Sequence, residues 1–454
     1  MHALRGIRKL RLQKPKFRRR EVILILCYVV AGYLFSSLFL LAVLDEERIL
    51  SPGYSEDFHE TAPIRSTLSR IRRWYFSNVS ARSIPVSEFA LDSRLWPDDT
   101  LVSDRIERQL LFYPDSKGRL TAKLVVIVKS TYNKKDPRQR RPGKILDHDY
   151  EHGRGICPVT HCTFTSNERK AHIADAILFV DGIPDWYTEI YDRPQNQVWI
   201  LSLLESPYHT RSFSHAQQLI NWTATYRLDS DLVTPYGKFA LYNTSVRQKT
   251  QEHNYALTKS GPGKVAWFVS NCETGNKRMD YARELGKYIH VDIYGRCGTL
   301  DDRQCQKSGT CDLLLAKSYK FYLAFENNNC RWYITEKLWT ALKSNVIPVV
   351  MGAPISDYEA VAPYRSFIHV DNFTSPQELA NYLHYLDNNE NAYNEYFKWK
   401  HTGEIILTYT FCRICALLHS DARSKSYKDF DFWWHMGGSV CTNEPLVKEI
   451  IWDI

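Results

Sequence analysis

The sequence of 454 residues contains no low-complexity block and no internal repeat, and it is too long for one small hydrophobic core. Acidic residues are absent from residues 1–20, which contain nine lysines or arginines. When these nine charges are subtracted from the formal net charge of +8, the rest of the chain carries −1. The basic charge therefore belongs to a short tail, which excludes a nucleic-acid-binding face as the expected function.

Charged residues of either sign are also absent from Val22–Leu44, a run of 23 residues. This run is long enough to cross a bilayer, and it is longer than the apolar region of a cleaved signal peptide. Basic residues precede it and the acidic sequence DEE follows it. The positive-inside rule then predicts an uncleaved anchor, with the N-terminus in the cytosol and residues 45–454 in the lumen.

Ten of the 11 cysteines lie beyond this run, and only Cys27 lies within it. An even number of cysteines beyond a membrane anchor is typical of an oxidising compartment, where disulfides form. N-x-S/T sequons predict glycosylation at Asn78, Asn243 and Asn372. A fourth sequon, at Asn221, has Trp in its middle position and is discounted because we expect it to be buried.

Hydrophobic periodicity divides the luminal part into two α/β halves. In the first half, KLVVIVK, DAILFVDG and QVWILSLLESP are apolar runs of strand length, and the second half repeats the pattern with KVAWFVSNC, HVDIYG, FYLAFEN, IPVVMGA and SFIHVDNF. Continuous apolar runs are typical of parallel strands that are buried on both faces. The predicted divisions are a cytoplasmic tail over 1–21, a transmembrane anchor over 22–44, a stem over 45–118, α/β domains over 119–258 and 264–400, and a C-terminal segment over 401–454.

The second half concentrates polar residues between two apolar strands. Thr335 is expected to cap a helix whose first turn contains Glu336 and Lys337. A lysine is unfavourable at the positive end of a helix unless an anion, such as a phosphate, lies between them. Glu336 cannot face the same phosphate, but it could accept hydrogen bonds from a ribose diol. The residues alone leave two interpretations open, a nucleotide site and an exposed charge pair.

The motifs FYLAFEN, YITEKLW and IPVVMG resemble the signature of the α1,3/α1,4-fucosyltransferases, glycosyltransferase family 10. The resemblance extends from about Leu124 to Thr442 and includes LESPYHT, NWTATYRLDSDLVTPYG and FCRIC. It implies two Rossmann-like domains that face a cleft (the GT-B type), behind a single N-terminal transmembrane helix and a stem. It further implies a type II Golgi membrane enzyme that transfers L-fucose from GDP-fucose to the 3-hydroxyl of GlcNAc with inversion.

The same resemblance implies roles for individual residues. Lys337 and Arg278 would hold the diphosphate of the donor, Glu336 would contact the guanosine ribose, and Asn327 and Tyr333 would line the donor pocket. Tyr236 would face the acceptor.

Glu205 would be the catalytic base of this reaction, because the family places its base at this glutamate. A carboxylate that ends a buried strand should have a raised pKa unless it is hydrogen-bonded. A buried structural glutamate is the alternative, and His209 is a weaker candidate for the base.

The cysteine pattern bears on both structure and acceptor. The family ties its C-x-x-C pair, here Cys412 and Cys415, to two cysteines of the first domain, which Cys157 and Cys162 match. The connectivity of the remaining luminal cysteines stays open: Cys272, Cys297, Cys305, Cys311, Cys330 and Cys441. In these cysteines the sequence resembles invertebrate and plant enzymes that fucosylate the innermost GlcNAc of N-glycans. Core α1,3-fucosylation is therefore the favoured prediction.

Three alternatives are kept. One is Lewis-type fucosylation of antennal LacNAc or LacdiNAc, and another is an inactive glycan-binding membrane protein. The third is a metal-dependent transferase that uses Asp229 and Asp231 as a D-x-D pair, although pairing of these residues with Arg227 is favoured. We therefore expect no metal site and no required cofactor, with divalent ions at most stimulating turnover. The expected partners are GDP-fucose and GlcNAc-containing glycoprotein glycans, and a homodimer through the stem or anchor stays open.

Overall fold

The computed structural model describes residues 95–97, 105–114, 120–130, 157–241, 253–261, 263–298, 310–420, 425–435 and 440–442. The tail, the predicted membrane anchor and the sequons at Asn78 and Asn243 lie outside these ranges. A search of the described ranges finds no helix that combines the length and the apolar character needed to cross a membrane.

The described residues form two parallel sheets and two short antiparallel strand pairs. The strands are β1 Lys123–Lys129, β2 Cys162–Thr165, β3 Ala176–Val180, β4 Val198–Leu203, β5 Trp222–Thr225, β6 Leu232–Val233, β7 Lys238–Leu241, β8 Val265–Phe268, β9 Val291–Tyr294, β10 Phe321–Phe325, β11 Asn329–Cys330, β12 Ile347–Met351, β13 Ile368–His369, β14 Gly403–Ile406 and β15 Cys441–Thr442. The α-helices are α1 Ile106–Leu111, α2 Asp185–Glu189, α3 Arg278–Leu285, α4 Thr310–Ser318, α5 Glu336–Lys343, α6 Ile355–Val361, α7 Pro376–Asn388, α8 Glu390–Glu395, α9 Thr410–Leu418 and α10 Phe430–His435.

The first sheet has the strand order β2-β1-β3-β4-β5-β6, and the second has the order β13-β12-β10-β8-β9. All neighbouring strands within each sheet are parallel. Every residue of β3, β10 and β12 is buried, because helices and loops cover both faces of each sheet. The α/β fold with parallel sheets is confirmed, and each of the eight predicted runs contains a strand.

The C-terminal segment packs back on the first sheet. Disulfides join Cys157 to Cys412 and Cys162 to Cys415, so both cysteines of the C-x-x-C pair connect α9 to the region around β2. The ring of Phe411 lies 4.8 Å from that of Phe164, edge to face. Two further disulfides join Cys272 to Cys297 and Cys330 to Cys441, whereas Cys305 lies outside the described residues.

The stem predicted over 45–118 is too long at its C-terminal end. The Trp96 ring lies 5.1 Å from the Trp222 ring, within the core of the first sheet. Gln109 is fully buried, and its Nε2 donates to the backbone oxygen of Asp231 at 2.7 Å. The sequence around these residues shows little periodicity. They join the folded domain only by packing on a sheet that is distant in sequence, and periodicity does not reveal such contacts.

The two halves contact each other closely where β7 follows the first sheet. β7 pairs with β14 in antiparallel fashion. Gly237 lies against Trp339 of α5, and a Cβ atom there would approach the indole ring to 2.5 Å. Only glycine fits this contact, which brings the end of the first half against the helix of the second half that contains Lys337.

Candidate active site at the strand ends of the two halves

Glu205 lies just beyond the carboxyl end of β4, where ligands collect in open α/β sheets. Its Oε1 atom accepts three hydrogen bonds, from Tyr333 Oη at 2.6 Å, the Ser206 amide at 2.9 Å and Asn327 Nδ2 at 3.2 Å. The structure records no hydrogen bond from a described residue to Oε2. The side chain keeps 46% of its surface exposed, so Oε2 is the oxygen available to a substrate.

The charge state of Glu205 follows from these contacts. Partial desolvation raises its pKa, but the hydrogen bonds from Tyr333, Ser206 and Asn327 lower the pKa by more, and it lies below the usual value of a glutamic acid. The carboxylate is therefore ionised at neutral pH. The sequence predicted a raised pKa unless the carboxylate was hydrogen-bonded, and the structure shows that Glu205 is hydrogen-bonded.

His209 lies next to the carboxylate, with Nδ1 3.7 Å from Glu205 Oε1. Its Nδ1 accepts a hydrogen bond from Asn328 Nδ2 at 2.7 Å and lies 3.2 Å from Ser206 Oγ. His209 therefore supports the loop that contains Glu205, and its Nδ1 is already occupied.

Arg278 begins α3, and its guanidinium contacts the backbone where β10 ends and just after β8. Nη1 donates to Phe325 O at 2.6 Å and Nη2 donates to Asn271 O at 2.9 Å. Its Nε atom is buried and has no hydrogen-bond partner among the described residues. Burial lowers the pKa of Arg278 and the nearby Glu326 carboxylate opposes that shift, but an arginine stays charged. The site thus contains a buried cation with an unused donor.

Glu326 directly follows β10 and is 1% exposed. Its Oε1 accepts from the Thr335 amide at 2.8 Å, and its Oε2 accepts from Thr335 Oγ1 at 2.8 Å and from Lys337 Nζ at 2.9 Å. Burial raises the pKa of Glu326, while the Lys337 charge opposes that shift. Gly352 permits this arrangement, because a Cβ atom there would lie 2.7 Å from that of Glu326.

The sequence predicted an anion beside Lys337 at the start of α5, and the Glu326 carboxylate is such an anion. Thr335 is the N-cap residue as predicted, but its hydroxyl bonds Glu326 and Lys337 instead of capping the helix. Lys337 Nζ also contacts Glu336 Oε1, at the longer distance of 3.4 Å. Burial lowers the pKa of Lys337, but Glu326 and Glu336 raise it by more, so the ammonium is charged.

Glu336 and Tyr236 complete the set of predicted residues. Glu336 is 64% exposed at the N-terminus of α5, with one carboxylate oxygen facing Lys337. Tyr236 is half-buried, and its hydroxyl donates to Leu204 O at 2.6 Å, beside Glu205. Among the predicted residues, Tyr333 and Asn327 bond Glu205 directly, and Glu336 contacts Lys337.

The D-x-D pair is not arranged as a metal site. Asp229 forms a bidentate pair with Arg227, at 2.9 and 2.7 Å, as the sequence favoured. Asp231 is fully buried and bonds Thr223 and Tyr427, with Lys425 as its ion-pair partner. The two carboxylates are committed to different partners within the first half, so they do not converge on a common ligand.

The predicted sequons differ in their surroundings. Asn372 is exposed, and its glycosylation stays a prediction. Asn221 is part of the first sheet, because its Oδ1 accepts from the Trp199 amide at 2.8 Å and its Nδ2 donates to Lys425 O at 2.7 Å. Asn221 is thus half-buried and not fully buried as expected, and its amide nitrogen is already hydrogen-bonded.

Sequence reasoning assigned no role to three residues of the site: Ser206, Glu326 and Asn328. Glu326 and Asn328 belong to the run FENNN, which begins where β10 ends. Position at a strand end was the signal that could have found them. Their partners, Lys337 and His209, were not evident because those contacts depend on tertiary packing.

Comparison with known proteins identifies the family. Residues 121–237 match the model described as "Fucosyltransferase, N-terminal", and residues 258–433 match "Glycosyltransferase family 10 (fucosyltransferase) C-term". The chain is 44% identical over 405 residues to glycoprotein 3-alpha-L-fucosyltransferase A of Drosophila melanogaster, covering 84% of this chain and 77% of that protein. It is 35% identical over 286 residues to alpha-(1,3)-fucosyltransferase 7 of Bos taurus, covering 61% of this chain and 78% of that protein.

Among solved structures, a crystal structure of an alpha1,3-fucosyltransferase with GDP-fucose aligns at a TM-score of 0.44 and 15% identity, over 72% of this chain and 98% of that one. The two parallel sheets and the sequence similarity define a glycosyltransferase. The chain belongs to glycosyltransferase family 10, the fucosyltransferases. The family resemblance inferred from its motifs is confirmed, and the relatives described here are named as α1,3-fucosyltransferases.

Proposed function

We propose that this enzyme transfers L-fucose from GDP-fucose to the 3-hydroxyl of a GlcNAc residue in glycoprotein N-glycans, with inversion of the anomeric centre. One observation carries the proposal. Glu205 of the first half holds an ionised carboxylate with Oε2 open, directly against residues that follow β10 in the second half. A single inverting displacement requires one base at such a junction, opposite the leaving group.

Arg278 and Lys337 are proposed to hold the diphosphate. The unpaired Nε of Arg278 would donate to a phosphate oxygen, which would satisfy its buried donor. Lys337 already uses its three protons, and its contact with Glu336 is the longest. We infer that a phosphate displaces Glu336 from Lys337, which frees the Glu336 carboxylate to accept hydrogen bonds from the ribose diol.

Asn327 and Tyr333 were expected to line the donor pocket. The Asn327 Oδ1 atom is buried and has no partner among the described residues, so it could accept a sugar hydroxyl. Tyr236, beside Leu204, is proposed to contact the acceptor. The chemistry needs no metal in this proposal, because Arg278 and Lys337 neutralise charge on the leaving diphosphate. A divalent ion would stimulate only by binding released GDP.

Core α1,3-fucosylation is the acceptor specificity that we favour. Its support is the similarity to an enzyme named for 3-fucosylation of glycoproteins, together with the luminal cysteines. The four disulfides fit an oxidising compartment. We further propose a single-pass type II protein of the Golgi membrane, anchored by residues 22–44.

The test offers GDP-fucose to the full-length protein in detergent with three acceptors: an N-glycan core, N-acetyllactosamine and GalNAcβ1,4GlcNAc. The expected product carries α1,3-fucose on the innermost GlcNAc, and turnover survives thorough chelation. Fucose only on antennal GlcNAc would replace the core specificity with a Lewis-type one. Glycan binding without turnover of any acceptor would identify an inactive glycan-binding protein instead.

A further inference from the structure

Tyr333 belongs to the second half by sequence but to the first half by packing. The loop after β10 carries its side chain into the hydrophobic cluster of the first sheet, where the ring lies 5.2 Å from the Tyr226 ring. The side chain is 2% exposed. Its polar end emerges only at Glu205 Oε1, at 2.6 Å. A ring buried in this way presents little surface to a donor nucleotide.

The loop that contains Tyr333 is held at several points. Cys330 forms a disulfide with Cys441. Arg331 Nε donates to both carboxylate oxygens of the fully buried Asp357, at 3.0 and 2.9 Å, and the Trp332 amide donates to Asp357 at 2.7 Å. The backbone at Trp332 is left-handed, with φ 62°, and redirects the chain toward the first half. These restraints fix the Tyr333 hydroxyl relative to Glu205.

We propose that Tyr333 is a positioning residue for the base, and that its hydroxyl occupies Glu205 Oε1 so that Oε2 faces the acceptor. This inference deepens the proposed function and rests on it. The acceptor hydroxyl oxygen forms a bond to the anomeric carbon of fucose, and the bond to GDP breaks with its electron pair leaving on the diphosphate. The hydroxyl proton moves to Glu205 Oε2 and is later released to solvent. Tyr333 donates throughout and transfers no proton.

The electrostatics of the site agree with that role. Burial raises the pKa of Tyr333, and the carboxylates of Glu326 and Glu205 raise it further, so the phenol keeps its proton. In return, its hydrogen bond lowers the pKa of Glu205. Loss of the hydroxyl should therefore raise the pKa of the base, and the protonated, inactive form should persist to higher pH.

The decisive variant is Tyr333→Phe, which keeps the buried ring. With saturating GDP-fucose, the acidic limb of kcat/KM for the acceptor should move upward by about one pH unit, since one lost charge-assisted hydrogen bond has roughly that effect. GDP affinity should be unchanged. Each sample is returned to neutral pH and assayed again, which separates titration from acid unfolding.

Tyr226→Phe is the matched control. Its hydroxyl is buried beside Tyr333 but has no hydrogen-bond partner among the described residues. We expect its pH profile to match that of the wild type. Replacement of Tyr333 by 3,5-difluorotyrosine, a stronger hydrogen-bond donor, should shift the limb in the opposite direction and serves if the phenylalanine variant folds poorly.

An unshifted limb in Tyr333→Phe would overturn the inference, and so would a tenfold loss of GDP affinity without a shift, which would make Tyr333 a donor contact. An equal shift in Tyr226→Phe would also overturn it. Absence of wild-type turnover with every acceptor would instead contradict the proposed function, so the two failures are distinguishable.

Discussion

Glu205 and Glu326 stand at equivalent places in the two halves, each just beyond the end of a buried parallel strand, yet their environments are opposite. Glu205 keeps 46% of its side-chain surface exposed and has an oxygen to spare. Glu326 is 1% exposed, and both of its oxygens are hydrogen-bonded to Thr335 and Lys337. A strand end therefore locates a site, but the partners of each carboxylate decide what it can do.

The pKa values of the two glutamates shift in opposite directions, because desolvation and hydrogen bonding balance differently at each. Hydrogen bonds outweigh desolvation at Glu205 and lower its pKa. Desolvation outweighs the nearby lysine at Glu326 and raises its pKa. The first carboxylate is an available proton acceptor, whereas the second is an internal counter-ion that holds Lys337 and the start of α5 together.

Replacing Glu205 tests the reactive side of this comparison and should have the largest effect. Glu205→Gln keeps the shape of the side chain and can still accept the hydrogen bond from Tyr333, but it cannot take a proton at neutral pH. Loss of general-base help costs about 10²–10⁴ in rate, so kcat should fall by that factor. Thermal unfolding and GDP affinity, measured by calorimetry, should be almost unchanged.

Near-normal turnover of Glu205→Gln would make this glutamate structural. His209, the weaker sequence candidate, would then be the next residue to replace. Its Nδ1 atom lies 3.7 Å from Glu205 Oε1, although that nitrogen already accepts from Asn328 Nδ2.

Lys337 tests the other side of the comparison, with the second-largest effect on function. Lys337→Ala removes a charge-assisted phosphate contact worth about 1.5–3 kcal/mol, so GDP affinity should fall roughly tenfold to a hundredfold. It also leaves the Glu326 carboxylate buried without its cation, which should lower the free energy of unfolding by about 3 kcal/mol. Calorimetric GDP titration and denaturant unfolding measure the two effects separately.

The double variant Lys337→Ala/Glu326→Gln separates these two roles. A neutral glutamine no longer needs a counter-ion, so part of the lost stability should return. GDP affinity should stay low, because the phosphate contact is still missing. Recovery of affinity together with stability would show that Lys337 acts only through the fold and would move the diphosphate site elsewhere.

Much of the scaffold could be predicted because its determinants are local. The runs FYLAFEN and IPVVMGA contain strands whose residues are all buried, and their continuous apolar character predicts this directly. The helix at Glu336–Lys343 begins after Thr335 as expected, and it buries Leu338 and Leu342 on one face. The ends of the predicted strands followed from such runs, and Glu205 and Asn327 became site candidates because they lie just beyond two of those ends.

The contacts that assign roles were not local and could not be predicted. Tyr333 lies between β10 and β12 of the second sheet in sequence, but its side chain packs against the first sheet and bonds Glu205, which is 128 residues away in the chain. The anion expected beside Lys337 was interpreted as part of a ligand, whereas in the structure the Glu326 carboxylate accepts a hydrogen bond from Lys337. The predicted end of the stem was too late in the sequence for a similar reason, because Trp96 belongs to the folded core only by packing against the distant Trp222.

A third carboxylate, Asp229, sharpens the comparison with the smallest expected effect. It belongs to the half that contains Glu205, but its side chain is 52% exposed and both of its oxygens bind Arg227. Asp229→Asn therefore matches Glu205→Gln as a carboxylate-to-amide change away from the site. Partly exposed ion pairs contribute about 0–1 kcal/mol, so the free energy of unfolding should fall by no more than that. We expect an unchanged kcat, equal with and without a chelator, because Asp229 and the buried Asp231 have separate partners. A large loss of kcat restored by manganese would instead make the D-x-D pair a metal site, and Glu205 would lose its place as the carboxylate of the first half on which turnover depends.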